Sequence, residues 1–152
     1  LNKKKLDILY KKTMGIASIF SILLAVFVFI FSSFIISIIF GKNYLPAVNI
    51  LRLFSIMLIL IPLISLLATY LVASGKPVII SKFLIISTIM NIVLNYILIS
   101  KLVSFGQIFA VYGSIIATII SNIFYLSSLL IYKNKTKKKQ TIIIFKYKIT
   151  ET

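Results

Sequence analysis

"MGIASIFSILLAVFVFIFSSFIISIIF", residues 14 to 40, runs for 27 residues without a charged side chain. As an α-helix it would be about 40 Å long, and a bilayer's hydrocarbon core is about 30 Å thick. Three more charge-free runs follow, at 53–75 (23 residues), 83–100 (18) and 102–132 (31). Hydrophobic residues make up 61% of the 152-residue chain and its mean hydropathy is +1.14. One soluble core of this size cannot hide so much apolar surface, so the chain takes lipid as its solvent. The expected fold is an all-α integral membrane protein with four transmembrane helices at 14–40, 50–75, 78–100 and 108–132. The third run reaches spanning length by extending over Val78–Ser81, with Lys82 snorkelling to the headgroups. The fourth starts with a loop at Ser104–Gln107.

Between the first two expected spans lies "GKNYLPAVN", residues 41–49, a polar turn placed where water can satisfy its backbone. Gly41 is expected to cap the first helix in the left-handed conformation, and Pro46 to occupy the first turn of the next. Four spans put the N-terminus, the middle loop and the C-terminal tail on one side. That side carries 14 of the 17 basic residues, from Lys3 to Lys148, whereas Lys42, Arg52 and Lys101 fall on the other. Such a bias places both termini in the cytoplasm and the 41–49 loop outside. Residues 1–13 then form a basic cytoplasmic segment and 133–152 a basic cytoplasmic tail. "TIIIFKYKIT" within that tail alternates weakly, as a strand does, with no evident pairing partner.

The net charge of +15 invites a nucleic-acid reading. The lysines abut a membrane span, however, and lack aromatic interleaving or a nucleic-acid motif. Topology anchoring and attraction to anionic membrane lipids account for them. There is no Cys and no His, and the only acids, Asp7 and Glu151, lie outside all four runs. Thiolate nucleophiles, metal sites, carboxylate pairs and a membrane-embedded proton relay therefore have no residues to build them. No enzyme activity and no cofactor is expected. The first run is too long for a signal peptide, and "LNKKKLDILYKKTMGIASIF" reads as entry on a cytoplasmic loop of a longer protein.

Several stretches together resemble a known family. "IIFGKNYLPAVNILRLFSIM" carries Phe40, Gly41, Tyr44, Ala47 and Leu51 in the order found after the ninth span of bacterial polysaccharide exporters. "YLVASGKPVIISKFLIISTIMNIVLNYILI" supplies Ala73, Gly75 and Lys76, then the spaced Asn91 and Asn95. "VYGSIIATIISN" supplies Gly113, Ser114, Ala117, Thr118 and Ser121. The chain thus resembles, over about Met14 to Tyr132, the O-antigen and capsule flippases of the multidrug/oligosaccharidyl-lipid/polysaccharide exporter superfamily. It departs at Phe109 and Ala110, where that family often has proline and an extra glycine. The resemblance implies four helices of the C-terminal lobe of a two-lobed exporter in the bacterial cytoplasmic membrane. Its partners would be a lipid-linked oligosaccharide substrate and the N-terminal helices of the same transporter. Transport would proceed by alternating access around a central polar cavity. The alternatives are a drug/cation antiporter or lipid II flippase of the same superfamily, or a non-transport scaffold of a polysaccharide synthesis complex.

The polar residues within the spans are the candidate site. Ser87, Asn91 and Asn95 fall at i, i+4 and i+8 on one helix face, which must meet protein or water rather than lipid. Interhelical hydrogen bonding is the favoured reading of this stripe and sugar contact the alternative, with packing expected for Asn91 and cavity exposure for Asn95. Arg52, the only arginine, matches pyrophosphate or acidic-sugar oxygens, or else serves as an interfacial anchor that snorkels outward. Gly113, Ala117 and Ser121 form a small-residue ridge for close helix packing, with a similar stripe at Ser65, Thr69 and Ala73. Pro62 should kink the second span by removing the bond to the Leu58 carbonyl.

Overall fold

The computed structural model describes the backbone of residues 3–150 and the side chains of residues 5–136. It contains five α-helices: α1 (Lys3–Ile39), α2 (Val48–Phe54), α3 (Met57–Ala73), α4 (Pro77–Leu102) and α5 (Gln107–Thr150). Short 3₁₀ segments at Lys42–Ala47 and Val103–Phe105 join α1 to α2 and α4 to α5. Four stretches are long and apolar enough to cross a membrane: Lys5–Ile39, Lys42–Ala73, Pro77–Phe105 and Gln107–Thr136. The four-span expectation therefore holds as an architecture of helices.

The helices outrun the charge-free runs. α1 begins at Lys3 rather than Met14, and α5 continues as helix through the tail whose alternation suggests a strand. Absence of charge marks the part of a helix that lipid can surround, and backbone hydrogen bonding carries on into water. Asp7 is consequently a helical residue of α1, inside the first apolar stretch.

The second span is broken. Ser55 and Ile56 form a turn between α2 and α3, held by Leu58 N–H to Ser55 O (3.0 Å) and Ile59 N–H to Ile56 O (3.1 Å). Pro62 lies within α3, and the interruption falls upstream of it. Gly41 has φ +88° and ψ 169°, so it uses a positive φ but with extended rather than left-handed helical ψ. Pro46 belongs to the 3₁₀ turn ahead of α2. Gly75 (φ +75°) closes α3 in a Schellman motif, with Gly75 N–H to Val72 O at 2.9 Å and Lys76 N–H to Leu71 O at 3.0 Å. Pro77 then opens α4 at its first turn, where a missing N–H costs nothing.

Packing sets the spans in the order α1, α3, α5, α4, with α4 turned back onto α3 as well. α1 lies against α2 and α3, α3 against α5, and α5 against α4. The central core joins Leu67 and Leu71 of α3, Ile80 of α4, and Tyr125 and Leu129 of α5. α1 and α4 occupy the two edges and expose large apolar faces, among them Phe20, Phe34, Ile89 and Ile92. In water such surface would drive aggregation, and in a bilayer it meets acyl chains or further helices. One end of the array gathers the start of α1, the end of α3 and residues 125–136. The other gathers the turns at 40–47 and 103–106.

Candidate functional site

Close approach of α4 and α5 creates the site's framework. A Cβ on Gly113 would stand 3.1 Å from the Leu98 carbonyl carbon and 3.2 Å from its oxygen, so only glycine lets the backbones come this near. Ala117 and Ser121, one and two turns on, are buried in the same seam. The small-residue ridge on α5 therefore does what its spacing implies. The Ser65–Thr69–Ala73 stripe does not, because all three residues are exposed along α3.

Across the α4–α5 seam the polar groups pair. Ser87 Oγ donates to the Ser121 carbonyl at 2.7 Å, and the Ser121 hydroxyl donates back to Ala117 O at 2.8 Å. Asn91 Nδ2 reaches Thr118 Oγ1 at 3.4 Å, a long and therefore weak bond. Asn95 Nδ2 bonds only its own helix, to Asn91 O (2.9 Å) and Asn91 Oδ1 (3.1 Å). On the facing helix Asn122 Nδ2 donates to Thr118 O at 2.9 Å. The Ser87, Thr118 and Ser121 hydroxyls donate to backbone carbonyls and keep their oxygen lone pairs as acceptors, and each asparagine amide has more donor and acceptor positions than these bonds use.

A groove of about 340 Å³ opens along this seam, lined by Ile64 of α3, by Leu84, Ser87, Thr88 and Asn91 of α4, and by Thr118, Ser121, Asn122 and Tyr125 of α5. It lies midway along three apolar helices. Of the residues singled out from sequence, it takes in Ser87, Asn91, Thr118 and Ser121 and leaves Asn95 a turn beyond its lining. Thr88, Thr118 and Asn122 are members that the i, i+4 stripe on α4 does not reveal. Asn122 follows Thr118 by four residues on α5, and that pairing is the available signal.

Arg52 stands apart from the groove. Its Nε donates to Ser32 Oγ at 2.9 Å, its Nη1 to Asn49 Oδ1 at 3.4 Å, and its guanidinium lies 5.7 Å from the Phe29 ring centroid. Ser32 is fully buried and sits about 12 Å along α1 from Phe40. Arg52 thus crosses to α1 instead of reaching away along its own helix as a snorkelling anchor would. The partners of Arg52 lie on α1 and α2, those of Asn91 and Asn95 on α4 and α5, and no hydrogen bond among the described residues joins the two sets.

A constellation not foreseen from sequence occupies the opposite end. Tyr70 of α3 donates its hydroxyl to Asp7 Oδ1 of α1 at 2.5 Å. The Tyr10 and Tyr70 ring centroids lie 4.5 Å apart, and Lys133 Nζ sits 3.7 Å from the first and 5.2 Å from the second. Asp7 and Tyr10, three residues apart on α1, are the only sequence signal for it.

Compared with known proteins, the chain matches no family model, no curated protein and no solved structure.

Proposed function

We propose that the chain forms four helices of the C-terminal lobe of a bacterial polysaccharide flippase, which moves a lipid-linked oligosaccharide across the cytoplasmic membrane by alternating access. The observation that carries this reading is the polar groove at mid-length of otherwise apolar helices. Amide and hydroxyl groups are costly at that depth unless they meet protein, water or a hydroxylated substrate. An array of four spans with uncovered edges supplies one wall of such a cavity, and a second lobe would supply the other. The motif order from Phe40 to Ser121 supports the family, and the lysine bias supports cytoplasmic termini.

In this reading Asn91 presents its amide to sugar hydroxyls, and Asn95 holds that amide in place by donating to Oδ1. Thr88 and Asn122 extend the hydroxyl-binding surface. Arg52, anchored on Ser32, keeps guanidinium N–H groups for the pyrophosphate linkage or an acidic sugar. The test is Asn91→Leu and Thr88→Leu in the complete transporter, with membrane abundance and surface polysaccharide measured together. Export per molecule should collapse while abundance falls little. Normal export per molecule in both variants would reduce the groove to a packing feature.

A further inference from the structure

At the end of the array away from the polypeptide turns at 40–47 and 103–106, three helices contribute to one small site. α1 gives Asp7 and Tyr10, α3 gives Tyr70, and α5 gives Lys133, the first charged residue after its long apolar run. A lysine at such a position ordinarily extends its stem toward water and headgroups. Here the ammonium lies over two tyrosine rings, at 3.7 and 5.2 Å from their centroids. Both distances are inside the ~6 Å within which a ring's negative face attracts a cation. We propose that Tyr10, Tyr70 and Asp7 form a cation seat whose ligand is the Lys133 ammonium of the same chain, and that its occupancy latches α5 to the α1–α3 pair.

Each part has a distinct role. The rings stand 4.5 Å apart and tilted by 43°, so one face of each is offered to a single cation. The Tyr70 hydroxyl donates to the Asp7 carboxylate, which fixes the Tyr70 ring and brings a negative charge beside the seat. Apolar packing of Tyr10, Tyr70 and Tyr132 against the central core lowers the local dielectric and strengthens the attraction. The consequence follows from the packing order. α1 touches α3, and α3 touches α5, but among the described residues α1 and α5 do not pack along their lengths. The seat therefore adds a side-chain bridge between two helices otherwise held together mainly through α3. When Lys133 leaves it, the direct tie between the α1 and α5 ends is lost and their separation is set by the packing through α3 alone.

The chain has no cysteine, so paired spin labels can be placed cleanly. Labels at Lys12→Cys and Lys135→Cys, both exposed, report the α1–α5 separation in the chain reconstituted in lipid. One narrow distance distribution is expected with Lys133 present. Lys133→Met, which keeps the stem and loses the charge, should enlarge a longer-distance population by roughly ten-fold relative to the short one. Lys133→Arg should restore the narrow distribution, because a guanidinium also stacks on aromatic faces. Tyr10→Leu keeps every charge and removes one ring, and should open the pair as Lys133→Met does. A narrow distribution in either Lys133→Met or Tyr10→Leu would overturn the proposal, as would Lys133→Arg opening like Lys133→Met.

Discussion

Replacing Gly113 by alanine should destabilise the protein, although alanine is the better helix former. The added Cβ would sit 3.1 Å from the Leu98 carbonyl carbon and 3.1 Å from Leu102 Cδ1. Ordinary carbon–carbon contacts begin near ~3.5 Å, so α4 and α5 must part by about 0.4 Å. Leu102 Cδ1 can swing aside, but Leu98 C is backbone and moves only if α4 does. Overpacking of this kind costs about 2 kcal/mol, and the gain in helix propensity returns about 1 kcal/mol. The net loss is about 1 kcal/mol, roughly five-fold in the folded-to-unfolded ratio. It should come with weakening of the Asn91–Thr118 bond, already 3.4 Å long. Gly15 is the internal control, being helical in α1 with nothing within 4 Å of the place a Cβ would take. Gly15→Ala should therefore gain up to about 1 kcal/mol. Reversible unfolding of the purified protein in mixed micelles, followed by far-UV circular dichroism, measures both. A Gly113→Ala protein as stable as Gly15→Ala would refute the close-packed seam.

Three further outcomes are expected. Gly75→Ala should cost about 1 kcal/mol in the same unfolding assay, because φ +75° is strained for any side chain, and equal stability would mean that the α3 cap relaxes. Ser32→Ala should also cost about 1 kcal/mol by leaving Arg52 Nε without its acceptor, and unchanged stability would show the guanidinium satisfied elsewhere. Single cysteines at Asn43 and Lys135 should react with an impermeant thiol reagent from opposite sides of the membrane, and labelling of both from outside would end the four-span topology.

What sequence reveals here follows the strength of the physical constraint behind each signal. Lipid tolerates no charge over a span's length, so the runs at 14–40 and 83–100 announce their helices directly. Gly113, Ala117 and Ser121 are equally legible, since small residues at four-residue spacing have little use except close packing. Helix ends are not, because Lys3–Thr13 and Lys133–Thr150 obey backbone hydrogen bonding after the lipid constraint has lapsed. The turn at Ser55–Ile56 has no signal of its own beside Pro62, whose ring points to a different turn. Arg52 illustrates another limit. Its charge is evident, but Ser32, twenty residues earlier, decides where it points. The Asp7–Tyr70 bond joins residues 63 apart, and no local pattern encodes it. The groove is half visible: the α4 stripe gives Ser87 and Asn91, while Thr118 and Asn122 enter only once α5 is packed against it.

The central claim is that the groove between α3, α4 and α5 is wet and carries substrate, and cysteine accessibility tests it most directly. In a cysteine-free version of the transporter proposed above, single cysteines would replace Thr88 and Asn122 in the groove, and Ile86 and Val93 on the exposed apolar face of α4. A small charged thiol reagent needs water to reach and ionise its target. Rapid modification is expected at Thr88 and Asn122, slowed when lipid-linked oligosaccharide accumulates, with little at Ile86 and Val93. Groove positions as unreactive as the two apolar ones would contradict the claim.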